Sequence, residues 1–338
     1  MLTMINKTWF NSQLKTNFPL ETEVKNLKAY TLNETKQVVF EYVLNANLGE
    51  NSVDIAQVTD LHFNFATFEE IENDEEIRDT VKNRVWLKNG EALPQALFAM
   101  EGAKYCDLTV VTGDILDYLS KGAIYLTKKY LFNRYSSAMY IAGGHELTKQ
   151  MQTGKPDKLS IEERTKILTD FWLGDFFYQA RNVGEKVVAV GLNNGYGRYF
   201  DFQADKLEKE IENARKKGKI ILIFQHEPIA TGNENDKQVN CFYKAYGNAS
   251  VANFYDNPNM LCSVNRLSGV DERIYRLITL NADVIKGVFV GHYHSGYYTE
   301  IEASYNAGDK VYKSVIPQIC TQGNPYFDYG SFLKIIIK

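Results

Sequence analysis

The 338-residue chain has only five histidines: His62, His145, His226, His292 and His294. Each lies just past a short apolar run rich in β-branched residues. Val53–Val58 leads into Asp60-Leu61-His62, and residues 138–142 lead into Gly143-Gly144-His145-Glu146. Ile220–Gln225 ends at His226, and Ile285–Val290 runs into Gly291-His292-Tyr293-His294. A further run, Leu108–Thr112, delivers Gly113-Asp114, with Asp117 three residues on. Taken singly, a histidine here reads as a satisfied structural residue, and a Gly-Asp pair after a strand reads as a turn. The set reads differently, because no histidine falls outside it. Imidazoles with a few carboxylates suit Mn, Fe, Co or Zn, whereas Mg and Ca prefer all-oxygen shells. Alternate residues of extended backbone point the same way, so Asp60 with His62, and His292 with His294, are each expected to face one site. Asp114 is a candidate bridge between two ions about 4 Å apart, the arrangement of two-metal hydrolysis. With only Asp60 and Asp114 as carboxylate ligands, two divalent ions would leave the site net positive and attractive to phosphate.

The elements that must position these residues follow an α/β pattern. Strands are expected at Val53–Val58, Leu108–Thr112, 138–142, 186–192, Ile220–Gln225 and Ile285–Val290. Several are apolar throughout, as strands covered on both faces should be. Helical spacing marks 92–104, 119–134, 161–181, 205–217 and 271–280. In an open sheet of this kind the carboxyl ends of the strands face one crevice, where ligands bind. The chain closes with aromatic and β-branched segments at 297–303, 311–321 and Ser331–Ile337, read as an antiparallel finish. Residues 1–50 read as an arm followed by one or two strands, 37–43 the best candidate, packed on a main domain spanning 51–338. Segments 64–89 and 229–269 read as insertions, and long loops of this kind are commonly functional.

Composition is that of a globular protein, 44% hydrophobic and 24% charged, with a net charge of −4. Scattered Lys and Arg argue against a nucleic-acid backbone or a membrane surface as partner. The apolar runs are too short to span a bilayer, and the first twenty residues lack a signal-like run, so a soluble, cytoplasmic protein is expected. The cysteines Cys106, Cys241, Cys262 and Cys320 show no CxxC spacing, and none is near a motif in sequence. Cys106 and Cys320 read as buried free thiols; Cys241 and Cys262 read as reduced, with a disulfide as the alternative.

The ordered blocks Asp60-x-His62, Gly113-Asp114, Gly144-His145, His226 and Gly291-His292-x-His294 resemble the calcineurin-like metallophosphoesterase superfamily. The resemblance implies a four-layer αββα sandwich with two divalent ions, of the Mn, Fe or Zn kind, at the strand ends. It assigns Asp60, His62 and His294 to one ion, Asp114 to a bridge, and His226 and His292 to the other. It makes His145 the acid that protonates the leaving oxygen while a metal-bound hydroxide attacks phosphorus, with Asp117 orienting His145. The substrate would be a small-molecule phosphomonoester or phosphodiester. Tyr118-Leu119-Ser120 follow Asp117 where phosphoprotein phosphatases carry Arg, which argues against a phosphoprotein. Phe63, Phe65, Tyr118, Tyr293, Tyr297 and Tyr298 read mainly as packing, with a substrate-stacking role as the alternative. One departure stands out. The family's Gly-Asn-His is Gly143-Gly144-His145, so an expected ligand of the second ion is missing. Asn193 or Asn194 are candidate replacements; otherwise the second site is weak, or the protein binds without catalysing.

Overall fold

The computed structural model describes residues 2–4, 26–32, 36–84, 92–147, 159–229, 269–292, 294, 297–321, 323–324 and 329–338. Most of segment 229–269, Cys241, Cys262 and Tyr293 lie outside the described residues, as does the side chain of Tyr297.

Two mixed sheets lie face to face. The first runs β1 (Leu2–Met4), β2 (Leu27–Leu32), β3 (Val38–Leu44), β13 (Ser331–Ile337), β4 (Val53–Val58), β5 (Leu108–Thr112), β6 (Met139–Ile141). The second runs β11 (Tyr297–Ala307), β12 (Lys310–Cys320), β10 (Ile285–Val290), β9 (Ile220–Gln225), β8 (Val187–Leu192), β7 (Tyr178–Val183). Ile55, Val110 and Ile141 of the first sheet share a core with Leu222, Phe224 and Phe289 of the second. Helices cover both outer faces. Ala96, Ala99 and Met100 of α3 (Ala92–Ala103) and Ala123 of α4 (Lys121–Leu126) pack with Val58 and Val111. Leu207 and Ile211 of α6 (Asp201–Lys216), with Ile274 and Ile278 of α7 (Gly269–Thr279), pack with Val190, Ile223 and Val288. This is the four-layer sandwich the resemblance implied, and the interior strands are apolar because they are covered on both sides.

Within the sandwich, β4, β5 and β6 are parallel, and so are β8, β9, β10 and β12. Their carboxyl ends meet along one rim. There Gln57 Nε2 donates across the sheets to the Val290 carbonyl at 3.0 Å and to Thr112 Oγ1 at 2.8 Å. Thr321 Oγ1 donates to Gln57 Oε1 at 2.7 Å. A buried amide with both ends satisfied pins the two sheets in register where the histidines emerge.

Several expectations are corrected. The helix expected over 161–181 stops at Phe171, and Tyr178–Val183 is an edge strand antiparallel to β8. Trp172 turns extended, its indole donating to the Tyr140 carbonyl at 3.0 Å, and Gly174 at φ 89° completes the break. The helix over 119–134 is α4 followed by a π-turn, Thr127–Phe132. Segment 64–89 contains two short helices, α1 (Phe68–Asn73) and α2 (Glu75–Asn83). The closing strands are not one antiparallel group. β11 and β12 form a hairpin on the second sheet, whereas β13 crosses to the first and lies parallel to β3 and antiparallel to β4. Among the described residues no helix is long and apolar enough to cross a membrane.

The rim tolerates little added volume. A Cβ on Gly291 would lie 2.0 Å from Thr59 Oγ1 and 2.7 Å from Asp60 Oδ2, whereas among the described residues one on Gly144 would meet only the Gly195 carbonyl, at 3.6 Å. Gly291→Ala is expected to destabilise by about 1–3 kcal/mol in denaturant unfolding, the usual cost of overpacking. Gly144→Ala should change stability by less than about 0.5 kcal/mol, as at an unconstrained site.

Candidate metal centre

The loops leaving β4, β5 and β10 are strained where they carry the site. Asp60, His62, Asp114, His292 and His294 have φ between 48° and 73°. Left-handed backbone costs an L-residue about 1–2 kcal/mol, less for Asp, so these residues persist only where the surroundings hold them. The expected extended segments are therefore corrected: turns, not strand alternation, aim Asp60 with His62 and His292 with His294. Cross-loop hydrogen bonds hold the turns. Asp60 N–H donates to the Gly113 carbonyl at 3.1 Å, and His62 N–H to the Asp114 carbonyl at 2.8 Å. His292 N–H donates to Asp60 Oδ2 at 3.2 Å, and His145 N–H to Asp114 Oδ1 at 3.0 Å.

The side chains form two donor groups that share one carboxylate. Asp60, His62, Asp114 and His294 offer ligand atoms within 4.8 Å of one another, and so do Asp114, His226 and His292. In the first group His62 Nε2 is 2.8 Å from His294 Nε2, and His294 Nε2 is 3.2 Å from Asp60 Oδ1. In the second, His226 Nε2 is 3.1 Å from Asp114 Oδ2. Asp60 Oδ1 and His226 Nε2 are fully buried and make no hydrogen bond among the described residues. Buried polar atoms without partners are costly. Here they converge with other donors, as a cation would require, and imidazole with carboxylate is a donor set for transition divalent ions. The residues present fit the implied metal.

Second contacts set the tautomers. His62 Nδ1 donates to Asp117 Oδ1 at 2.8 Å and His226 Nδ1 to the Thr112 carbonyl at 2.9 Å, so Nε2 of each faces the centre. Burial brings His62 down to about 4, against its Asp117 bond. Burial and the nearby His226 bring His292 down to about 3. Burial acts the same way on His226 and His145, but the Asp114 charge overrides it. His226 rises to about 10, with Asp60 assisting, and His145 rises to about 9, with Asp117 assisting. Asp60 and Asp114 stay below the usual carboxylate range, despite burial, because histidines surround them.

His145 stands beside the donor groups. Its Nδ1 donates to the Asp117 main-chain carbonyl at 2.8 Å and lies 3.4 Å from Asp117 Oδ1, and its ring is 22% exposed. Asp117 thus lies beside His145, and its carboxylate also serves His62 and Arg84. Hydrogen bonds from His145, His62 and Arg84 hold it well below the carboxylate range against burial.

Sequence reasoning missed Arg84 and Glu146. Arg84 is buried and binds both oxygens of Asp117. Glu146 is fully buried; its carboxylate accepts from the backbone N–H groups of Ile115, Leu116 and Gly143, tying the Asp114 loop to the His145 loop. Burial and the Asp114 charge push Glu146 up to about 7. A Gly-His-Glu order was the one available signal for Glu146; an isolated Arg gave none.

Asn193 and Asn194 do not replace the missing ligand. Asn193 Oδ1 accepts from Gly195 N–H at 3.0 Å, and its amide donates to the Phe176 carbonyl at 3.2 Å. Asn194 exchanges two hydrogen bonds with the Glu227 backbone, at 2.9 and 3.0 Å. Phe63 and Tyr118 are core residues. Cys106 is only half-buried. Cys320 does lie near a motif in space, since its thiol donates to the Gly291 carbonyl at 3.0 Å, which corrects the expectation from sequence distance.

The family profile described as calcineurin-like phosphoesterase matches residues 53–296, and the chain belongs to that family. It is a phosphoesterase hydrolase with a divalent metal site. Two solved structures align at 10% identity. One is a dimetal phosphatase from Danio rerio, with 83% of this chain and 91% of that chain covered and a TM-score of 0.39. The other, PhoD, is matched over 88% of this chain and 62% of its own, less than two thirds of its length, with a TM-score of 0.40. No curated protein matches the sequence.

Because His226 sits at about 10 without a cation, it holds its proton near pH 8, and a cation on Nε2 must displace it. Mn²⁺ binding near pH 8 should release about one proton, and the release should fade as pH rises past about 10. Titration calorimetry in buffers of different ionisation enthalpy measures this, and His226→Ala should remove most of it, leaving the smaller share that His145 gives up as its own shift is offset.

Proposed function

We propose that the protein hydrolyses a small phosphate monoester or diester at two divalent ions, with His145 as general acid. The sharing of Asp114 between two donor groups carries this reading. Asp60, His62 and His294 with Asp114 would hold one ion; Asp114 with His226 and His292 would hold the other. Divalent ions there would supply charge to the phosphate oxygens and acidify a water. The other steps belong to the side chains. His145 Nδ1 is committed to the Asp117 carbonyl, so the proton on its Nε2 is the one available to a leaving oxygen. Its upward shift keeps the ring protonated at neutral pH, as an acid needs. Ions opposite Asp114 would offset part of that shift, so the working value should lie between neutrality and about 9.

A second reading, a weakly active or non-catalytic binding protein, is favoured by one observation. Gly144 has no side chain, and the nearby Asn193 and Asn194 amides are committed to backbone.

Metal analysis with hydrolysis of p-nitrophenyl phosphate and its bis ester separates the readings. Two metals per chain with turnover supports the hydrolase; at most one metal and no turnover on either ester supports the binder. His145→Ala should lower kcat about 10²–10⁴-fold on an alkyl phosphate, the usual worth of general acid catalysis. The loss should be smaller on p-nitrophenyl phosphate, whose leaving group needs no proton. A general acid works below its pKa, so wild-type kcat should fall as pH rises through that value, and the variant should lack this limb. Gly144→Asn should tighten the second equivalent of Mn²⁺ and leave the first unchanged.

A further inference from the structure

Residues 64–84 deliver a buried cation, Arg84, to the site. Thr67 and Glu70 cap α1 reciprocally, and Asp74 caps α2 through the N–H groups of Glu76 at 3.0 Å and Ile77 at 3.3 Å. Glu70 also accepts from the N–H of Lys121 at 2.6 Å and of Gly122 at 3.1 Å, which fixes α1 to the start of α4. Ile77 packs with Ala66 and with Tyr118, the residue after Asp117. At the end of α2 stands Arg84, 4% exposed. Its Nε donates to Asp117 Oδ2 at 2.8 Å and its terminal nitrogen to Oδ1.

We propose that Arg84 is a positioning residue of the metal centre: acting through Asp117, it fixes the His62 ring and so sets the cation affinity of the Asp60, His62, Asp114 and His294 group. The inference rests on the metal reading above. A carboxylate rotates broadly about its last bond, so Asp117 alone would not hold one oxygen in place. A guanidinium fork on both oxygens fixes the carboxylate plane, which a point charge cannot do. Asp117 Oδ1 then lies 2.8 Å from His62 Nδ1. With Nδ1 so bound, His62 Nε2 faces the group, 3.9 Å from Asp60 Oδ1 and 4.0 Å from Asp114 Oδ2. Outer contacts of this kind commonly change metal affinity about 10–100-fold.

The test is Mn²⁺ binding to the full chain, read from the resonance of free Mn²⁺ and set beside thermal melting. Arg84→Ala should weaken the first equivalent by about 10–100-fold. Millimolar guanidinium, but not ammonium at equal ionic strength, should restore it by re-forming the fork. Arg84→Lys keeps the charge beside Asp117, and so the fold, but should remain about tenfold weak and gain nothing from guanidinium. Wild-type affinity in folded Arg84→Lys overturns the proposal. So does a loss in Arg84→Ala that guanidinium leaves unchanged, because the pair is then structural only. If the wild-type chain itself binds no Mn²⁺, the metal reading has failed and the role of Arg84 falls with it, an outcome recognised from the wild-type trace alone.

Discussion

The structure is organised around the crowding of buried donors. Oxygen and nitrogen atoms from the ends of β4, β5, β9 and β10 face one another across 2.8–4.0 Å, those of Asp60, His62, Asp114 and His226 on buried side chains. Left alone, such a cluster would spread apart or take up protons. It is held by turns that carry strain at five positions and by backbone bonds that run from one loop to the next. Those loops are in turn anchored where two parallel sets of strands end together. The interior strands can be largely apolar on both faces because, the Gln57 tie apart, most of their polar work falls to the residues just past them.

Charge at the centre is distributed unevenly. His62 and His292 are kept neutral by burial, the form that a metal ligand needs. His145 and His226 are drawn toward protonation by Asp114. For His226 that proton is what a cation displaces. For His145, which lies outside the two shared-carboxylate groups, it is what an acid donates. Burial, the Asp114 charge and neighbouring imidazoles together divide four histidines into roles, the usual way in which neighbouring titratable groups acquire separate tasks. Asp117 adds to that field at His145, and Arg84 offsets part of it. Removing one partner of a buried ion pair typically costs about 3–5 kcal/mol, so the two are best regarded as one unit.

Much of this was legible in the sequence. Val53–Val58, Leu108–Thr112, Ile220–Gln225 and Ile285–Val290 were readable to the residue, because buried parallel strands leave uninterrupted apolar runs and the site residues follow directly. Tyr178–Val183 was not, because an edge strand with one exposed face and a preceding helix of similar polarity blurs into that helix. The left-handed turns were hidden too, since Asp and His carry no glycine-like marker. Arg84 and Glu146 were missed for a different reason. Both act by holding backbone or a second side chain, so Glu146, although it follows His145 at a strand exit, does not read as a ligand, and only the folded chain brings Arg84 to Asp117. The crossing of β13 between β3 and β4 likewise depends on which sheet has an open position, which no local pattern encodes.

Gly144 shows where steric and chemical constraints part. Around it the backbone is packed too tightly for side chains. A Cβ on Gly143 would lie 2.4 Å from Asp114 Oδ1, and one on Gly195 would lie 2.2 Å from the Gly143 carbonyl. Glycine at those two positions follows from space. At Gly144 it does not, because among the described residues the nearest atom to a Cβ there is 3.6 Å away. The two halves of the centre therefore differ in kind. Among the described residues one gathers four protein donors with Arg84 and Asp117 behind them, and the other gathers three. A cation in the second half would draw fewer donors from these residues, so its binding there would depend more on what else enters the site.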